Sequence, residues 1–255
     1  MTEAGLRDGT VGQIIDTDAA RDFMHEALEK IDETELLTMV RELEGKHRAF
    51  AEFLATPRLE AGLSPDEVRR LLRSVFATRR HADRILAEPG AAVRIADALR
   101  DFLDHAGPIG PRFDAFCAVA RLAQPFWATD LASECLHFSR PDHHWLWTRW
   151  MWDPVASTGA LPLVTTESYR LEGRSPGERY LHVGEAVLFV AATVEAAGLT
   201  RGARGPFGVD VFLVAVYAVY LYTVLRIRMT QEFNRVVPEL PELSRRLLGL
   251  RAMEV

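Results

Sequence analysis

The sequence predicts an all-α globular protein of about nine helices. Apolar residues recur at helical spacing along most of the 255-residue chain, and a composition of 48% hydrophobic and 26% charged residues is ordinary for a globular protein. The run from Val211 to Leu225, VFLVAVYAVYLYTVL, carries no charge. Because a bilayer requires about 20 apolar residues and Asp210 and Arg226 bound this run closely, we predict a buried central helix. A membrane-associated segment is the alternative.

Start and stop signals place the helices of the first half. We expect Asp18 to cap a helix that ends near Lys30, and a second helix to cover residues 33–54. The tetrapeptide SPDE at 64–67 is a helix start, since Ser64 can cap, proline suits the first turn, and Glu67 can complete a capping box. A further helix is predicted over residues 91–105.

The helix after Ser64 has a polar face rich in arginine. Its members are Arg69, Arg70, Arg73, Arg79, Arg80 and Arg84. Such a face is either solvated or a patch for an acidic partner or an anionic ligand.

The sequence GPIGP at 107–111 is the strongest linker pattern in the chain. It divides the chain into helical subdomains 1–106 and 107–255, or it lies within one continuous domain. Helices are expected over 112–122, 125–138, 185–197, from about 207 onward, and over 243–250. Residues 154–184 are rich in glycine and proline, which predicts an ordered loop or a short hairpin.

Charge and cysteine usage exclude some classes of protein. A formal net charge of −6 argues against a general nucleic-acid binder. Cys117 and Cys135 form no C-x-x-C pair, so we expect reduced thiols rather than a disulfide scaffold or a thiolate metal site. The first 16 residues show no secretory signal pattern, and a cytoplasmic location is therefore expected.

The most unusual stretch is the tryptophan segment, residues 136–153, LHFSRPDHHWLWTRWMWD. It holds four of the five tryptophans, three of the eight histidines and several interleaved charges. Tryptophan seeks burial while its N–H requires a partner, so the cluster marks either a specialised core or a contact surface. The candidate binding residues are His137, Asp142, His143, Trp145, Trp147, Arg149, Trp150, Trp152 and Asp153.

Three interpretations of the tryptophan segment are open. If 143–152 is helical, Trp145, Arg149 and Trp152 share one side, and Arg149 can stack between indole rings. The segment is then a packed aromatic core braced by ion pairs, or a binding surface, since tryptophan and arginine dominate interface hot spots. The third interpretation is a pocket with His137 or His143 as general acid or base.

Two Glu-x-x-His tetrads offer a different chemistry. Glu44 and His47 form one, and Glu134 and His137 form the other, each on a predicted helix. The i,i+3 spacing puts both ligands on one helix face, which is how helical bundles hold di-iron or di-manganese sites. The supporting glutamates of such a site cannot be assigned from the sequence.

The second half of the chain resembles a known protein family. The strings LHFSRPD at 136–142, WLWTRWMWDP at 145–154, TGALPLV at 158–164, PFGVD at 206–210 and RMTQEFNR at 228–235 carry the resemblance. They resemble a family of uncharacterised bacterial proteins encoded beside the heterodisulfide-reductase-like complex of sulfur-oxidising bacteria. The resemblance implies an accessory role in cytoplasmic sulfur oxidation and supplies no catalytic residues.

These observations favour a non-catalytic accessory or assembly protein of a cytoplasmic multi-protein system, without a cofactor, that binds protein partners through the tryptophan segment. The alternative is a helical-bundle metalloenzyme that holds iron or manganese through Glu44, His47, Glu134 and His137. The sequence leaves the oligomeric state open, a homo-oligomer included.

Overall fold

The all-α prediction is confirmed in the computed structural model, which describes residues 15–103, 107–120, 122, 124–199, 205–228 and 238–250. Within these ranges the chain forms twelve helices and no strand. The helices are α1 (Thr17–Leu28), α2 (Glu33–Phe53), α3 (Thr56–Ala61), α4 (Pro65–Ser74), α5 (Ala82–Leu86), α6 (Ala91–Leu103), α7 (Ile109–Ala120), α8 (Pro125–Ser139), α9 (Ala160–Val164), α10 (Pro176–Ala196), α11 (Gly205–Arg228) and α12 (Leu240–Leu247).

Side-chain caps explain where several helices begin. Ser64 and Glu67 form the predicted capping box at the start of α4. The cap of α1 is Asp16 rather than Asp18, because the Asp16 carboxylate accepts from the backbone N–H of Ala19 at 2.9 Å. Asp18 lies in the first turn instead, where a negative charge favours the helix dipole.

The segment 154–184 is more helical than the sequence predicts. The hairpin alternative is wrong for the described residues, since only two isolated bridges form, between Ile15 and Thr165 and between Asp153 and Thr158. Residues 160–164 form α9, and α10 begins at Pro176, nine positions before its predicted start. The start signal is SPGE at 175–178: Ser175 accepts from the N–H of Glu178 at 3.1 Å, as Ser64 accepts from Glu67 in α4.

Helix α11 lies in the core. Its side chains from Val211 to Val216 are all buried, and the helix packs against α1, α2, α9, α10 and α12. Residues 205–224 are long and apolar enough to cross a membrane, with a mean hydropathy of 1.9, and 67% of that stretch is buried within the molecule. This burial agrees with the predicted central helix.

One hydrophobic core runs through the described part of the chain. It includes residues from Ile15 to Leu248, on both sides of the predicted boundary at 106/107. Helix α2 packs on α8, α1 on α11, and α6 on α7. The GPIGP pattern becomes the start of α7, and the division into two subdomains stays a prediction.

Some predicted features lie outside the described residues. They are most of the N-terminal lead-in, the last residues of the helix predicted over 91–105, and all but the first residue of the 228–235 string.

Candidate ligand-binding site

The tryptophan segment is an extended, looped strap rather than a helix after residue 139. The helical arrangement considered for 143–152, with Trp145, Arg149 and Trp152 on one side, therefore does not form. The backbone N–H of Trp147 donates to the Ser133 hydroxyl of α8 at 2.5 Å, and the Trp147 indole N–H donates to the carbonyl of Trp152 at 3.0 Å. Contacts with the rest of the fold override local helix preference here.

Five aromatic rings form a continuous stack that joins the strap to α7 and α10. Trp145 stacks on Tyr180 (centroids 4.9 Å apart), Tyr180 on Phe113 (4.5 Å), Phe113 on Trp147 (6.1 Å) and Trp147 on Trp152 (6.1 Å). Trp145 and Tyr180 also exchange hydrogen bonds through their ring donors and backbone carbonyls, at 2.7 and 3.1 Å. The interpretation as a packed aromatic core thus describes most of the strap.

Glycines make room for this stack. A side chain at Gly184 of α10 would collide with the Trp145 indole, and one at Gly177 would collide with the carbonyl of Gly110 at the crossing of α7 and α10. Gly159 has φ of 149°, a conformation open essentially to glycine alone, and lies against the carbonyl of Met151. Gly184 and Gly159 thus fix the strap against α10 and its own turn, and Gly177 permits the close crossing of α7 and α10.

His137 lies at one end of the strap, in a buried ion pair. Its Nε2–H donates to Asp210 Oδ2 of α11 at 2.7 Å and its Nδ1–H donates to the carbonyl of His144 at 2.8 Å. A carbonyl and an ionised carboxylate both accept, so these two partners fit a doubly protonated imidazolium. Burial lowers the pKa of His137, but the Asp210 charge and these hydrogen bonds outweigh it, so the pKa is raised overall. His137 in this state has no lone pair with which to act as a base.

A cavity of about 450 Å³ adjoins this pair, between the strap, α10 and α11. Asp142, His143 and Trp145 contribute to its lining, and so does Asp210. The second carboxylate oxygen of Asp210, Oδ1, is buried without a hydrogen-bond partner among the described residues.

The residues of the metal alternative do not form a metal site. Glu134 is paired with the fully buried Lys46 at 2.7 Å, and the Lys46 ammonium also donates to the carbonyl of Leu248. Glu44 is exposed, and His47 Nδ1 is bonded to the carbonyl of Phe138. Among the described residues no three His, Cys, Asp or Glu side chains are grouped to hold a metal ion. The buried Lys46 ammonium occupies the position beside Glu134 that a metal ion would need.

A larger cavity, of about 830 Å³, opens at the other end of the strap. We call it the aromatic cavity. Its walls come from α7, α8, the strap and the start of α10, and they include Cys117, Ala118, Phe126, Asp130, Trp147, Arg149, Trp152 and Arg179. Ligand sites are typically cavities of this size with mainly apolar walls and a few polar groups.

The polar groups of the aromatic cavity differ in availability. Both carboxylate oxygens of Asp114 already accept hydrogen bonds at the start of α10, one from the Ser175 hydroxyl and one from the backbone N–H of Gly177. Asp130 is buried, and burial followed by the nearby Glu134 carboxylate raises its pKa well above the usual range. Such a carboxyl in a cleft is a candidate for ligand recognition.

Two arginines border the same cavity. Arg149 is half-exposed and its guanidinium lies 4.0 Å from the Phe126 ring centroid, with Asp153 at 3.8 Å. Arg179 donates through Nε to the carbonyl of Gly173. The cavity therefore offers aromatic walls, one buried carboxyl and two guanidinium groups.

Cys117 also lines the aromatic cavity but is a poor nucleophile. Burial, with a smaller contribution from Asp114, raises the pKa of its thiol to about 12. Because the thiolate is the reactive form, little of it exists at neutral pH. Both cysteines are free, and Cys135 is buried.

The structure divides the predicted binding residues among different places. His137, Asp142, His143 and Trp145 adjoin the smaller cavity, whereas Trp147, Arg149, Trp152 and Asp153 line the aromatic cavity. Trp150 lines a third space, beside Arg79, Arg80 and Arg246. Trp147, Trp150 and Trp152 are buried, with 3–6% exposure, so their rings are not available to an external protein surface.

Sequence reasoning missed several residues of these sites. Asp130, Cys117, Arg179 and Asp210 were not selected as site residues. Asp130 shares a helix face with Glu134 and His137, at i, i+4 and i+7 of α8. A polar stripe on a helix that is otherwise apolar was the available signal.

Comparison of the chain with models of protein families, with curated proteins and with solved structures finds no match.

Proposed function

We propose that this protein is a non-catalytic binding protein that holds a small, mainly apolar molecule in the aromatic cavity. The observation that carries the proposal is the cavity itself: about 830 Å³, walled by Phe126, Trp147 and Trp152, with the buried carboxyl of Asp130 in its lining. Aromatic walls favour a flat or alkyl ligand, and Asp130 and Arg179 supply hydrogen bonds for one polar group.

Two reactive side chains that adjoin the cavities, Cys117 and His137, favour binding over catalysis. The Cys117 thiol is protonated at neutral pH, and both nitrogens of His137 are occupied. Neither Cys117 nor His137 supplies an activated nucleophile or a free base.

The test uses N-phenyl-1-naphthylamine, an uncharged aromatic probe that fluoresces in apolar surroundings. Ala118 is exposed and lines the cavity, so Ala118→Trp fills its entrance without disturbing the core. Ala115, also exposed on α7, does not line the cavity, and Ala115→Trp is the matched control. We expect saturable binding by the parent and by Ala115→Trp, and at least roughly tenfold weaker binding by Ala118→Trp. Equal binding by the two variants overturns the proposal.

We retain the accessory role in a cytoplasmic multi-protein system, including the link to sulfur oxidation, as the proposed biological setting. A protein partner of the tryptophan segment would have to contact its exposed members, Asp142, His143 and Arg149, because most of the tryptophans are buried. Pull-down from the native host with Asp142→Ala and His143→Ala variants tests this setting separately from ligand binding.

A further inference from the structure

We infer that a second site, the cationic cleft, binds a phosphoryl group. This cleft of about 580 Å³ lies between the segment that follows α4, the strap, α11 and α12. Four arginines line it, Arg79, Arg80, Arg149 and Arg246, together with His81, Asp130 and Asp153. Arginine is the residue best suited to phosphate, because its planar fork donates two parallel hydrogen bonds.

The positive charges of the cleft are incompletely neutralised. Arg246 pairs with Glu242 at 2.7 Å, and Arg149 has only a long contact with Asp153, at 3.8 Å. Asp153 Oδ1 already accepts from the backbone N–H groups of Val155 and Ala156. Within the described ranges, neither Arg79 nor Arg80 has a carboxylate partner.

The charged form of Arg79 is disfavoured by this arrangement. Its guanidinium lies 4.6 Å from the Phe76 ring centroid. Burial, followed by the like charges of Arg80 and Arg246, lowers its pKa. A bound dianion reverses this repulsion, since it places negative charge among cations that otherwise face one another.

Two unpartnered donors point to a ligand independently of the arginines. Thr148 and Trp150 line the same cleft and are each 6% exposed. The Thr148 hydroxyl and the Trp150 indole N–H are buried and lack a hydrogen-bond partner among the described residues. Buried donors without partners are costly and call for an explanation such as a bound ion or ligand. A phosphoryl group presents three acceptor oxygens to such donors.

The phosphoryl group can belong to free phosphate or to a larger molecule. The aromatic cavity and the cationic cleft share Phe126, Asp130, Arg149 and Asp153 as lining residues, so the cleft lies directly behind the wall of the proposed ligand site. Inorganic phosphate and phenyl phosphate are therefore both used as probes, by isothermal titration calorimetry.

The discriminating variant is Arg79→Gln with Arg80→Gln. Its control is Arg41→Gln with Arg48→Gln, two exposed arginines of α2 outside the cleft, which removes the same net charge. We expect saturable binding by the parent and the control, weakened roughly tenfold or more in the cleft variant. Tighter binding of phenyl phosphate identifies a phosphorylated molecule as the ligand, and equal binding identifies phosphate itself.

Two results overturn the inference: absence of saturable binding of both probes to the parent, or unchanged affinity in the cleft variant. Trp150→Phe supplies a second variant, since it keeps an aromatic ring and removes the unpartnered N–H. We expect weaker phosphate binding by a variant that still folds, with a lower thermal stability from the smaller buried ring. Binding of N-phenyl-1-naphthylamine to every variant reports on the fold and on the aromatic cavity. A result against phosphate binding in the cleft therefore remains distinguishable from a result against ligand binding in the aromatic cavity.

Discussion

The buried pair between Lys46 and Glu134 shows how a single residue type can be selected by its surroundings. Of the 30 basic residues only Lys30 and Lys46 are lysine, and Lys46 is fully buried against Glu134, the carbonyl of Leu248 and the Phe138 ring at 4.1 Å. A compact ammonium fits these three contacts, whereas a guanidinium is wider and planar. The pair joins α2, α8 and the end of α12.

We expect Glu134→Leu to lower the free energy of unfolding by about 3–5 kcal/mol, because it leaves the Lys46 charge buried without a partner. The double variant Lys46→Met with Glu134→Leu should recover most of that loss, since it removes both charges and fills their volume. Urea denaturation of the parent, both single variants and the double variant measures the coupling. A double variant less stable than Glu134→Leu contradicts this account.

The pair between His137 and Asp210 predicts a pH dependence of stability. The folded-state pKa of His137 is raised above its unfolded value of about 6.5. Its stabilising contribution is therefore fully present below pH of about 6.5 and is lost as pH rises through the folded-state pKa. In Asp210→Asn the attraction disappears and burial dominates, so this decrease of stability above about pH 6.5 should vanish.

The measurement is the free energy of unfolding from urea denaturation at a series of pH values from about 5.5 to 9. His143→Asn serves as the control, because His143 is exposed and its replacement should keep the parent profile. A parent curve that parallels the Asp210→Asn curve over this range shows that His137 is not held as a cation.

These pairs could not be predicted from the sequence. Lys46 and Glu134 are 88 residues apart, and His137 and Asp210 are 73 apart. The tetrads selected Glu134 and His137 of α8 as metal ligands, a role that their observed partners do not support. The sequence does not contain the distances that assign them to an ammonium and a carboxylate instead of a metal.

At the scale of helices, the contact between α10 and the strap depends on the absence of a side chain at Gly184. The Trp145 indole occupies the place of a Cβ there, and the same indole donates to the carbonyl of Tyr180. Close backbone approach thus determines where the strap lies.

We expect Gly184→Ala to destabilise the protein by about 1–3 kcal/mol through overpacking, and to shift the tryptophan fluorescence as Trp145 is displaced. Gly45→Ala is the matched control: Gly45 lies inside α2, and a Cβ there would have its nearest neighbour at 4.0 Å. That variant should be stabilised by about 0.5–1 kcal/mol. Thermal unfolding of the two variants separates the gain in helix propensity, which both share, from the collision with Trp145, which only Gly184→Ala suffers. Equal stabilisation of the two variants would show that this collision does not occur.

Helix positions were predictable where a local signal exists. The SPDE capping box and the central apolar helix agree with the structure, because caps and apolar runs act over a few residues. The start of α10 carried a similar SPGE signal at 175–178, yet the surrounding glycines and prolines favoured a loop. The conformation of the strap stayed open at the sequence level, because tryptophan spacing alone cannot reveal that Ser133 and Tyr180 bind its backbone and rings.

At the scale of the whole molecule, one core holds two adjoining ligand-sized spaces. The ring stack of the strap lies between the smaller cavity beside His137 and the aromatic cavity. The wall between the aromatic cavity and the cationic cleft consists of residues that line both, Phe126, Asp130, Arg149 and Asp153. The all-α class could be predicted from the sequence, but cavities depend on how α7, α8 and α10 pack. No local pattern specifies such packing.

The most direct test of the central claim is protection of Cys117 by a bound ligand. Cys117 lines the aromatic cavity and is half-buried, whereas Cys135 is buried. N-ethylmaleimide labelling, followed by mass spectrometry at each cysteine, should modify Cys117 slowly and leave Cys135 unmodified. Saturation with N-phenyl-1-naphthylamine should slow Cys117 labelling roughly tenfold. Binding of the probe with an unchanged labelling rate would place the ligand elsewhere and contradict the account.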